Sequence, residues 1–531
     1  MKRWNGWGEE TTTYPLPESA AAYLAEIVGE GSPAPDAVFA DLLPAVPPSR
    51  LRPHPMITTD PAERLSHARG QSLPDMAALR SGRIGIFPDG VAYPSSDEDV
   101  RALLTFAHDT GTRLIPYGGG TSVVGHINPL AGPDPVLTVD LSHMNHLQDL
   151  DAISGLATFE AGVRGPDLEA QLRPQGFTLG HFPQSHEFST LGGWIATRSS
   201  GQQSYHYGRI EDQFAGGHIE TPIGPLDLPP LPASAAGPDI RQLILGSEGR
   251  LGIVTRAIIR LRRLPQVEDF YGVFFHNWET GAAAVRAITQ AGIPVSMLRL
   301  SDAQETVTTL ALSGKVSLVN WADRGLRLAR YGPERCLLVI GITGGREAAD
   351  SAFRQACSLC HAHRALPPIR AIGKMWRKSR FLTPYLRNTL WERGYALDTV
   401  ETAVPWSEVM PTAAAIKAAI QTGLVDTGER VLVFAHLSHV YKHGASTYIT
   451  FLFRRSDDPD ETVHRWRMLK SAATRAILDH GGTISHQHGV GLDHAPYLAA
   501  EKGAVGMTML GAVRRSVDPE GLLNPGKLLA D

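Results

Sequence analysis

Apolar and polar positions repeat with two periods along residues 81–265, so the pattern predicts short strands and amphipathic helices in turn. Val91–Tyr93 is predicted as a strand, and Ser96 follows as the cap of a helix with an acidic first turn. Apolar residues recur at helical spacing behind that cap until Gly111 ends the helix. Arg113–Ile115 is the next predicted strand, and it leads directly into a glycine-rich loop.

A different order of elements is predicted after Pro265, where strands and helices alternate as in an antiparallel sheet backed by helices. The main predicted elements of the chain are strands at Val136–Asp140, Leu156–Ala161, Phe270–Phe275, Cys336–Ile342 and Thr447–Phe453, and helices at Ala20–Ile27, Pro166–Leu172, Thr280–Ala291, Glu347–Ala365, Asp460–His480 and near Ala504–Val513. The predicted class is α+β. We divide the chain into a helical and irregular segment at 1–80, a first domain at 81–265, a second at 266–480 and a C-terminal segment at 481–531.

The loop Pro116–Ser122 reads PYGGGTS, and its three glycines allow the backbone amides to converge on one point. Such a concavity suits an anion such as the diphosphate of a large cofactor, although a tight turn alone explains three glycines as well. The spacing is not the dinucleotide fingerprint, because Val123 stands where a third glycine belongs. A P-loop would need a Gly-Lys-Ser/Thr ending, which this loop lacks.

Two further stretches are rich in glycine and small polar residues. His181–Gly193 is followed by the hydrogen-bonding run Thr197–Gly201, and Gly246–Gly252 precedes a β-rich segment. We expect all three glycine clusters to lie at strand ends. Each is a turn when taken alone, but three of them together favour one ligand held along its length.

Composition restricts the function classes. The chain has 531 residues, 43% of them hydrophobic and 20% charged, which indicates a globular protein of two or three domains. A net charge of -4 without a long basic run argues against nucleic-acid binding. No apolar segment reaches the roughly 18 residues that span a bilayer. Three cysteines and an opening sequence without a signal-peptide core predict a cytoplasmic protein.

Two motifs resemble sites that their settings disfavour. Cys357–His361 matches the attachment motif of c-type haem, but it lies in a predicted helix, so a packed helix is the better interpretation. His436 and His443 would hold a divalent metal only if a carboxylate joined them. A polar strand end is the simpler interpretation, and no metal is predicted.

Four motifs occur together in one order: PYGGGTS, QSHEFSTLGGW, GSEGRLG and HQHGVG. With these motifs the chain resembles flavoproteins of the vanillyl-alcohol-oxidase, or PCMH, type, and within them the alkyldihydroxyacetonephosphate synthases. RWNGWG near the start, LRLSD around Arg299 and ETAVPW at Glu401–Trp406 add to the likeness. The resemblance implies a two-part FAD-binding domain, a cap domain with an antiparallel sheet, and a C-terminal segment that returns to the flavin.

The resemblance also assigns a cofactor site, in which backbone amides hold phosphate and hydroxyls suit the rest of FAD. The residues implied are Pro116, Tyr117, Gly118, Gly119, Gly120, Thr121, Ser122, Gln184, Ser185, Ser189, Thr190, Thr197, Ser199, Ser200, Gly246, Glu248, Gly249 and Gly252. Relatives with covalent flavin often place a histidine in the glycine-rich loop, and none occurs here. We therefore expect FAD to be bound non-covalently through this loop.

Five residues are implied on the reacting side. Tyr448 matches the proton acceptor and donor, while Arg387 matches the arginine that holds the substrate phosphate. Arg299 and the histidines His486 and His488 complete the catalytic set. A phenol needs nearby positive charge to work as a base near neutral pH, and His486, Arg299 and Arg387 are the expected sources.

Gln487 departs from the triple-histidine loop of the synthases, and it also lacks the metal-binding carboxylate found in 2-hydroxy acid dehydrogenase relatives. Two reactions therefore remain open. In the first, Tyr448 takes a proton from acyl-dihydroxyacetone phosphate and a fatty alcohol replaces the acyl chain, as in ether-lipid synthesis. In the second, His488 takes the hydroxyl proton of a 2-hydroxy acid such as D-lactate or glycolate while the flavin is reduced, and Arg387 holds the carboxylate. Peripheral contact with a membrane and a homodimer are left open.

Overall fold

The computed structural model describes residues 2–312 and 324–529. Its strands, in chain order, are β1 Ile57–Thr58, β2 Gly90–Ala92, β3 Arg113–Tyr117, β4 Val136–Asp140, β5 Leu147–Asp151, β6 Leu156–Glu160, β7 Phe177–Thr178, β8 Phe214–Thr221, β9 Gly224–Leu228, β10 Ile253–Arg260, β11 Arg262–Arg263, β12 Val267–Phe275, β13 Met297–Ser301, β14 Cys336–Gly344, β15 Tyr395–Pro405, β16 Val431–Val440 and β17 Gly444–Arg454.

The main α-helices lie between and around these strands. They are α1 Glu18–Val28, α2 Phe39–Leu42, α3 Pro61–Ser66, α4 Leu73–Ser81, α5 Asp97–Thr110, α6 Gly165–Leu172, α7 Leu191–Thr197, α8 Ser204–Tyr207, α9 Ile210–Gln213, α10 Arg241–Ile244, α11 Trp278–Gln290, α12 Ala303–Leu312, α13 Arg346–Ala362, α14 Arg370–Ser379, α15 Thr383–Glu392, α16 Val409–Thr422, α17 Pro459–Asp479 and α18 Ala495–Val517.

Two sheets share the first hydrophobic core. In the four-stranded sheet, with order β1-β2-β4-β3, strands β2, β4 and β3 run parallel. The five-stranded sheet has the order β5-β6-β10-β8-β9 and is antiparallel. Buried side chains from both sheets, such as Leu114 and Phe159, belong to one core. Leu523 forms a bridge beside Leu114, so the C-terminal segment returns to the strand that carries the glycine-rich loop.

The third large sheet is antiparallel, with order β12-β14-β13-β16-β17-β15. Helices α11 and α13 cover one part of its first face, and α16 and α17 cover the other part. Ala435 and Ile449 point into that covered face. Because side chains alternate along a strand, His436 and Tyr448 lie on the opposite face. The predicted α+β class, with an antiparallel sheet backed by helices, is confirmed.

The structure corrects three details of the predicted elements. Strand β3 continues to Tyr117, so Pro116 and Tyr117 belong to the strand rather than to the loop. The stretch Gly246–Gly252 follows helix α10, so only its far end joins a strand. Helix α18 starts before the expected Ala504, and Gly503 interrupts it with a φ of 68°.

The haem-like motif lies in helix α13, where Cys360 is buried in the core, so the packed-helix interpretation is confirmed. Burial raises the pKa of the Cys357 thiol to about 11 and that of the Cys360 thiol to about 12. Within residues 2–312 and 324–529, no three His, Cys, Asp or Glu side chains are grouped as metal ligands. The described helices include none with both the length and the apolar character to cross a membrane.

Candidate active site

The glycine-rich loop packs directly on the second predicted segment. A Cβ atom at Gly118 would overlap Thr190 Oγ1, and one at Gly119 would overlap the carbonyl oxygen of Phe188. Gly249, with a φ of +76°, lies against Pro116, where a Cβ atom would be 2.9 Å from the proline Cγ. Three segments that are far apart in the sequence therefore meet at the end of β3, and only glycine fits where they touch.

Glu248 joins the third segment to the C-terminal loop. Its carboxylate accepts hydrogen bonds from the amides of Val490 at 2.5 Å and Gly491 at 2.9 Å. Its carbonyl accepts one from Asn524 Nδ2 at 2.7 Å. Glu248 also lies 3.2 Å from His126 Nε2, and Ser122 Oγ lies 2.8 Å from Nδ1 of the same ring. The Glu248 side chain thus holds the loops together.

The predicted hydroxyl groups divide into two sets. Ser189 Oγ accepts a hydrogen bond from Trp194 Nε1 at 2.7 Å, and the Thr190 hydroxyl caps helix α7, so both stabilise the segment itself. Ser199 Oγ lies 3.1 Å from His181 Nε2, and Ser200 Oγ lies 3.1 Å from His439 Nδ1. Of the remaining predicted residues, Gly252 is buried, and the others keep accessible surface, namely Thr121, Gln184, Ser185, Thr197 and Gly246.

Tyr448 lies at the centre of a row of polar side chains across the six-stranded sheet. The register pairs Glu401 on β15 with Tyr448 on β17, and Tyr448 with His436 on β16. The rings of Tyr448 and His436 are stacked, with centroids 5.0 Å apart. His488 lies edge-on to Tyr448 with a centroid distance of 5.8 Å. The structure thus brings together the tyrosine and the histidine that the sequence predicts to act together.

Glu401 fixes the loop that carries His488. Its Oε1 atom accepts hydrogen bonds from the amides of Gln487 at 2.7 Å and His488 at 2.8 Å. The same oxygen lies 3.4 Å from His488 Nδ1. A carboxylate beside Nδ1 favours the tautomer with its proton there, which leaves Nε2 as an acceptor.

Burial decides the charges at this site. It lowers the pKa of His488 and lowers that of His486 well below its ordinary value, so both rings are neutral near pH 7. It raises the pKa of the Tyr448 phenol above its ordinary value, and the Glu401 carboxylate raises it further while Arg387 opposes both. The expectation that His486 supplies positive charge to Tyr448 is therefore wrong.

The positive charge of Arg299 is paired with a carboxylate. It donates from Nη2 to Glu305 Oε1 at 2.7 Å and from Nη1 to Ser301 Oγ at 2.9 Å. Although burial opposes it, the Arg299 guanidinium and the hydrogen-bonded His436 ring lower the pKa of the Glu305 carboxyl to about 2. Glu305 Oε1 also lies 3.0 Å from His436 Nδ1. The ion pair of Arg299 and Glu305 therefore contacts the His436 ring, which in turn stacks on Tyr448.

Arg387 differs from Arg299 in having an unsatisfied donor. Its Nη1 atom donates to the carbonyl of Gln71 at 2.8 Å. Its Nη2 atom is buried and has no hydrogen-bond partner within residues 2–312 and 324–529. Burial lowers the pKa of this guanidinium, while Asp398 and Tyr448 oppose that effect. Of the three residues expected to supply positive charge, Arg387 is thus the one that acts on Tyr448 and keeps a donor open to an anionic ligand.

Two protein-family models match successive parts of the chain. The family of FAD binding domains matches residues 88–225, and the C-terminal domain of FAD linked oxidases matches residues 264–528. An alkyldihydroxyacetonephosphate synthase from Dictyostelium discoideum is 32% identical over 88% of this chain and 78% of its own length. The chain belongs to the alkyldihydroxyacetonephosphate synthase family.

Structural comparison agrees with this family. A solved structure of an alkyldihydroxyacetonephosphate synthase superposes with a TM-score of 0.84 at 27% identity, covering 99% of this chain and 98% of the other. The predicted PCMH-type fold is confirmed, and the protein is an FAD-binding enzyme. A mitochondrial D-lactate dehydrogenase from Saccharomyces cerevisiae is a more distant relative, 26% identical over 83% of this chain and 72% of its own length.

The loops predicted to bind FAD have features that fit a polar cofactor. Glycines meet where a Cβ atom would collide, and they leave the loop backbone close to neighbouring segments. Buried polar atoms in the described part of the chain also lack protein partners, namely Ser485 Oγ, His486 Nδ1 and Arg387 Nη2. Buried polar atoms are normally hydrogen-bonded, so these atoms fit a site for a polar ligand.

Three side chains around His486 in this synthase-family protein were not predicted from the sequence, namely Arg209, Tyr441 and His439. His486 Nε2 accepts a hydrogen bond from Arg209 Nη1 at 2.6 Å and lies 2.6 Å from the Tyr441 hydroxyl. His439 stacks on His486 with a centroid distance of 4.9 Å, and burial lowers its pKa to about 3. Glu401 was visible only as part of a family motif. The cross-strand register with Tyr448 reveals its place, and no local pattern gives that register.

Proposed function

We propose that this protein exchanges the acyl chain of acyl-dihydroxyacetone phosphate for a fatty alcohol, the reaction for which its synthase relatives are named. The contact between Tyr448 and neutral His488, with Arg387 acting on the same tyrosine, carries the proposal. FAD, when bound, supplies an electrophilic ring that stabilises charge at the reacting carbon.

Tyr448 and His488 form the proton relay of this proposal. Because the phenol is protonated at rest, Tyr448 accepts the C1 proton of the substrate as its own proton passes to Nε2 of His488. Glu401 keeps Nδ1 of His488 protonated and stabilises the imidazolium that forms. The proton returns by the same path when the alcohol adds. The acyl group leaves as a carboxylate that takes up the hydroxyl proton of the alcohol to form the fatty acid, so no net oxidation or reduction occurs.

Arg387 holds the phosphate of the substrate in this scheme. Its Nη1 atom is fixed by Gln71, so the guanidinium has a set orientation, and Nη2 is available to an acceptor. An anionic group satisfies both the open donor and the buried charge. The arginine therefore selects phosphate-bearing substrates and orients C1 near Tyr448.

A reaction with defined products tests the proposal. We expect acyl-dihydroxyacetone phosphate and hexadecanol together to yield one fatty acid for each ether formed, with no lasting loss of flavin absorbance. Omission of hexadecanol should abolish the ether product. Failure to form ether under conditions in which FAD is bound would contradict the proposal.

Oxidation of a 2-hydroxy acid is the second candidate, which the D-lactate dehydrogenase relative supports. The neutral His488 ring suits a base that takes a hydroxyl proton, and Arg387 suits a carboxylate. Gln487 argues against it, because the dehydrogenase-like loop has a glutamate in this region. Rapid bleaching of the flavin by D-lactate without ether formation would favour this candidate.

We propose in addition that FAD is bound without a covalent bond. The glycine-rich loop contains no histidine from Gly118 to Ser122, and the nearby His126 ring is engaged by Ser122 and Glu248. Acid precipitation should therefore leave all of the yellow colour in the supernatant as intact FAD. Colour that stays with the precipitated protein would contradict non-covalent binding.

A further inference from the structure

Residues 2–9 form a short hairpin, which we call the N-terminal hairpin. Lys2 and Glu9 form a β-bridge, and the amide of Arg3 donates to the carbonyl of Gly8 at 2.7 Å. The turn between them is the WNGWG sequence, with Trp7 buried. The proposed reaction gives this hairpin no role, yet it contacts both ends of the candidate active site.

One side of the hairpin holds the glycine-rich loop. The ammonium group of Lys2 donates to the carbonyl of Gly119 at 2.8 Å and lies 3.5 Å from the Tyr117 hydroxyl. The Trp7 ring packs edge-on against Phe188 with a centroid distance of 5.5 Å. Gly119 lies so close to the carbonyl of Phe188 that a Cβ atom at this glycine would overlap it. The hairpin thus contacts the loop directly and also through its support.

The other side of the hairpin holds the helix that carries Arg387. Asn388 Oδ1 accepts a hydrogen bond from the amide of Trp7 at 3.0 Å, and its Nδ2 donates to the carbonyl of Trp7 at 2.8 Å. A Cβ atom at Gly6 would overlap Asn388 Oδ1, so this approach requires glycine. Asn388 follows Arg387 in the chain, and these bonds fix the turn of helix from which the guanidinium extends.

Gln71 closes the connection between the two ends. Its amide donates to the carbonyl of Ser122 at 2.6 Å, and its side chain donates to the carbonyl of Gly6 at 3.2 Å. Its carbonyl accepts from Arg387 Nη1 at 2.8 Å. One residue therefore contacts the glycine-rich loop, the hairpin and the phosphate-binding arginine.

From these contacts we propose that the N-terminal hairpin is a positioning element of the active site, which couples the FAD-binding loop to Arg387. Lys2 acts through Gly119, and Trp7 acts through Asn388. The inference rests on the proposed function for the role of Arg387. The part of the inference that concerns Lys2 and the glycine-rich loop depends only on FAD binding.

Lys2 gives the coupling a pH signature. Lys2 keeps exposed surface, but its ammonium group lies among protein atoms, and this desolvation lowers its pKa to about 8, with Asp140 opposing the shift and Arg164 adding to it. The Tyr117 phenol beside it stays neutral, because burial and Asp140 raise its pKa. As the pH rises through about 8, Lys2 loses its charge and holds Gly119 less firmly. FAD affinity should therefore fall across this range in the wild type and stay flat in Lys2→Met.

Dissociation of FAD at pH 7, followed by flavin fluorescence, tests the cofactor side. We expect Lys2→Met to raise the Kd for FAD about tenfold and Lys2→Arg, which keeps a donor and a charge, to restore most of the affinity. Lys502→Met is the matched control, since Lys502 is an exposed lysine paired with Glu501. A Kd within twofold of wild type in Lys2→Met would overturn the inference.

The substrate side is tested with dihydroxyacetone phosphate, whose binding is followed through the flavin spectrum at saturating FAD. Asn388→Leu should weaken this binding about tenfold and should also weaken FAD binding. The double variant with Lys2→Met should bind FAD little worse than the weaker single variant, because either change releases the same hairpin. If the fold-increases in the Kd for FAD of the two single variants multiply in the double variant, the hairpin is not a single coupling element. If Lys2→Met lowers the free energy of unfolding of the apoprotein by as much as it lowers the free energy of FAD binding, the hairpin acts on folding alone.

Discussion

Tyr448→Phe is expected to lower turnover by about 10²- to 10⁴-fold while FAD stays bound, because it removes only the hydroxyl of the proposed proton relay. The phenyl ring still stacks on His436 and still meets His488 edge-on. The flavin spectrum and the FAD dissociation constant report whether the cofactor site is intact, and single-turnover formation of fatty acid reports the chemical step.

The size of this effect follows from the neutral state of both relay groups. Burial raises the pKa of Tyr448 and lowers that of His488, so a proton moves to the histidine only as the tyrosine accepts another. Without the hydroxyl, the proposed path of the proton from the substrate to His488 is broken. The loss should appear in kcat and should be equal in kcat/KM, since the hydroxyl acts in the transition state.

Tyr395→Phe is the matched control for this prediction. Tyr395 is a buried tyrosine on β15 of the same sheet, and its hydroxyl donates to the carbonyl of Gly29 at 3.1 Å. Its loss should cost about 1 kcal/mol of folding stability and leave turnover nearly unchanged. If Tyr448→Phe retains turnover within a few-fold of wild type, Tyr448 does not carry the proton.

The glycine-bearing segments could be predicted from the sequence because their signal is local. Gly118 and Gly119 stand in an unusual run after a strand, and the structure shows the collisions that any side chain there would cause. Strand β4 and the Ser96 cap of α5 follow equally local rules and are confirmed. The row across the six-stranded sheet is different. Glu401 meets Tyr448 only through strand register, which depends on the packed sheet.

The charge states of the site also lie beyond the sequence. His486 resembles a cation in a histidine-rich loop, but burial beside Arg209 keeps its ring neutral. Arg299 and Arg387 are alike as sequence motifs, yet Arg299 forms an ion pair with Glu305 and Arg387 keeps an open donor. Ion pairing and desolvation depend on neighbours that the fold brings from distant segments, so only the structure separates these two arginines.

Arg387→Met is expected to lower kcat/KM for acyl-dihydroxyacetone phosphate by roughly 30- to 5,000-fold, since truncating a buried charge pair costs about 2–5 kcal/mol. The guanidinium is held by Gln71 on one side and has an unsatisfied Nη2 atom on the other. Arg387→Lys keeps the charge but not the planar pair of donors, so its kcat/KM should lie between those of the wild type and Arg387→Met. Steady-state kinetics at saturating FAD measures all three proteins.

The same substitution should leave the Tm of the ligand-free protein unchanged or higher. Burial lowers the pKa of Arg387, so desolvation opposes its charge in the ligand-free protein. An apolar side chain of similar length removes that cost. A gain in stability together with a loss of activity would mark Arg387 as a binding residue and not a structural one.

Phosphate recognition gives this prediction its sharpest control. With acyl-dihydroxyacetone, which lacks the phosphate, Arg387→Met should lower kcat/KM by a much smaller factor, because only the effect of Arg387 on Tyr448 is lost. Arg83→Met serves as the surface control, since Arg83 is an exposed arginine paired with Asp458 and Asp460. If Arg387→Met lowers activity by the same factor on both substrates, the arginine acts on Tyr448 alone, and the phosphate must bind elsewhere.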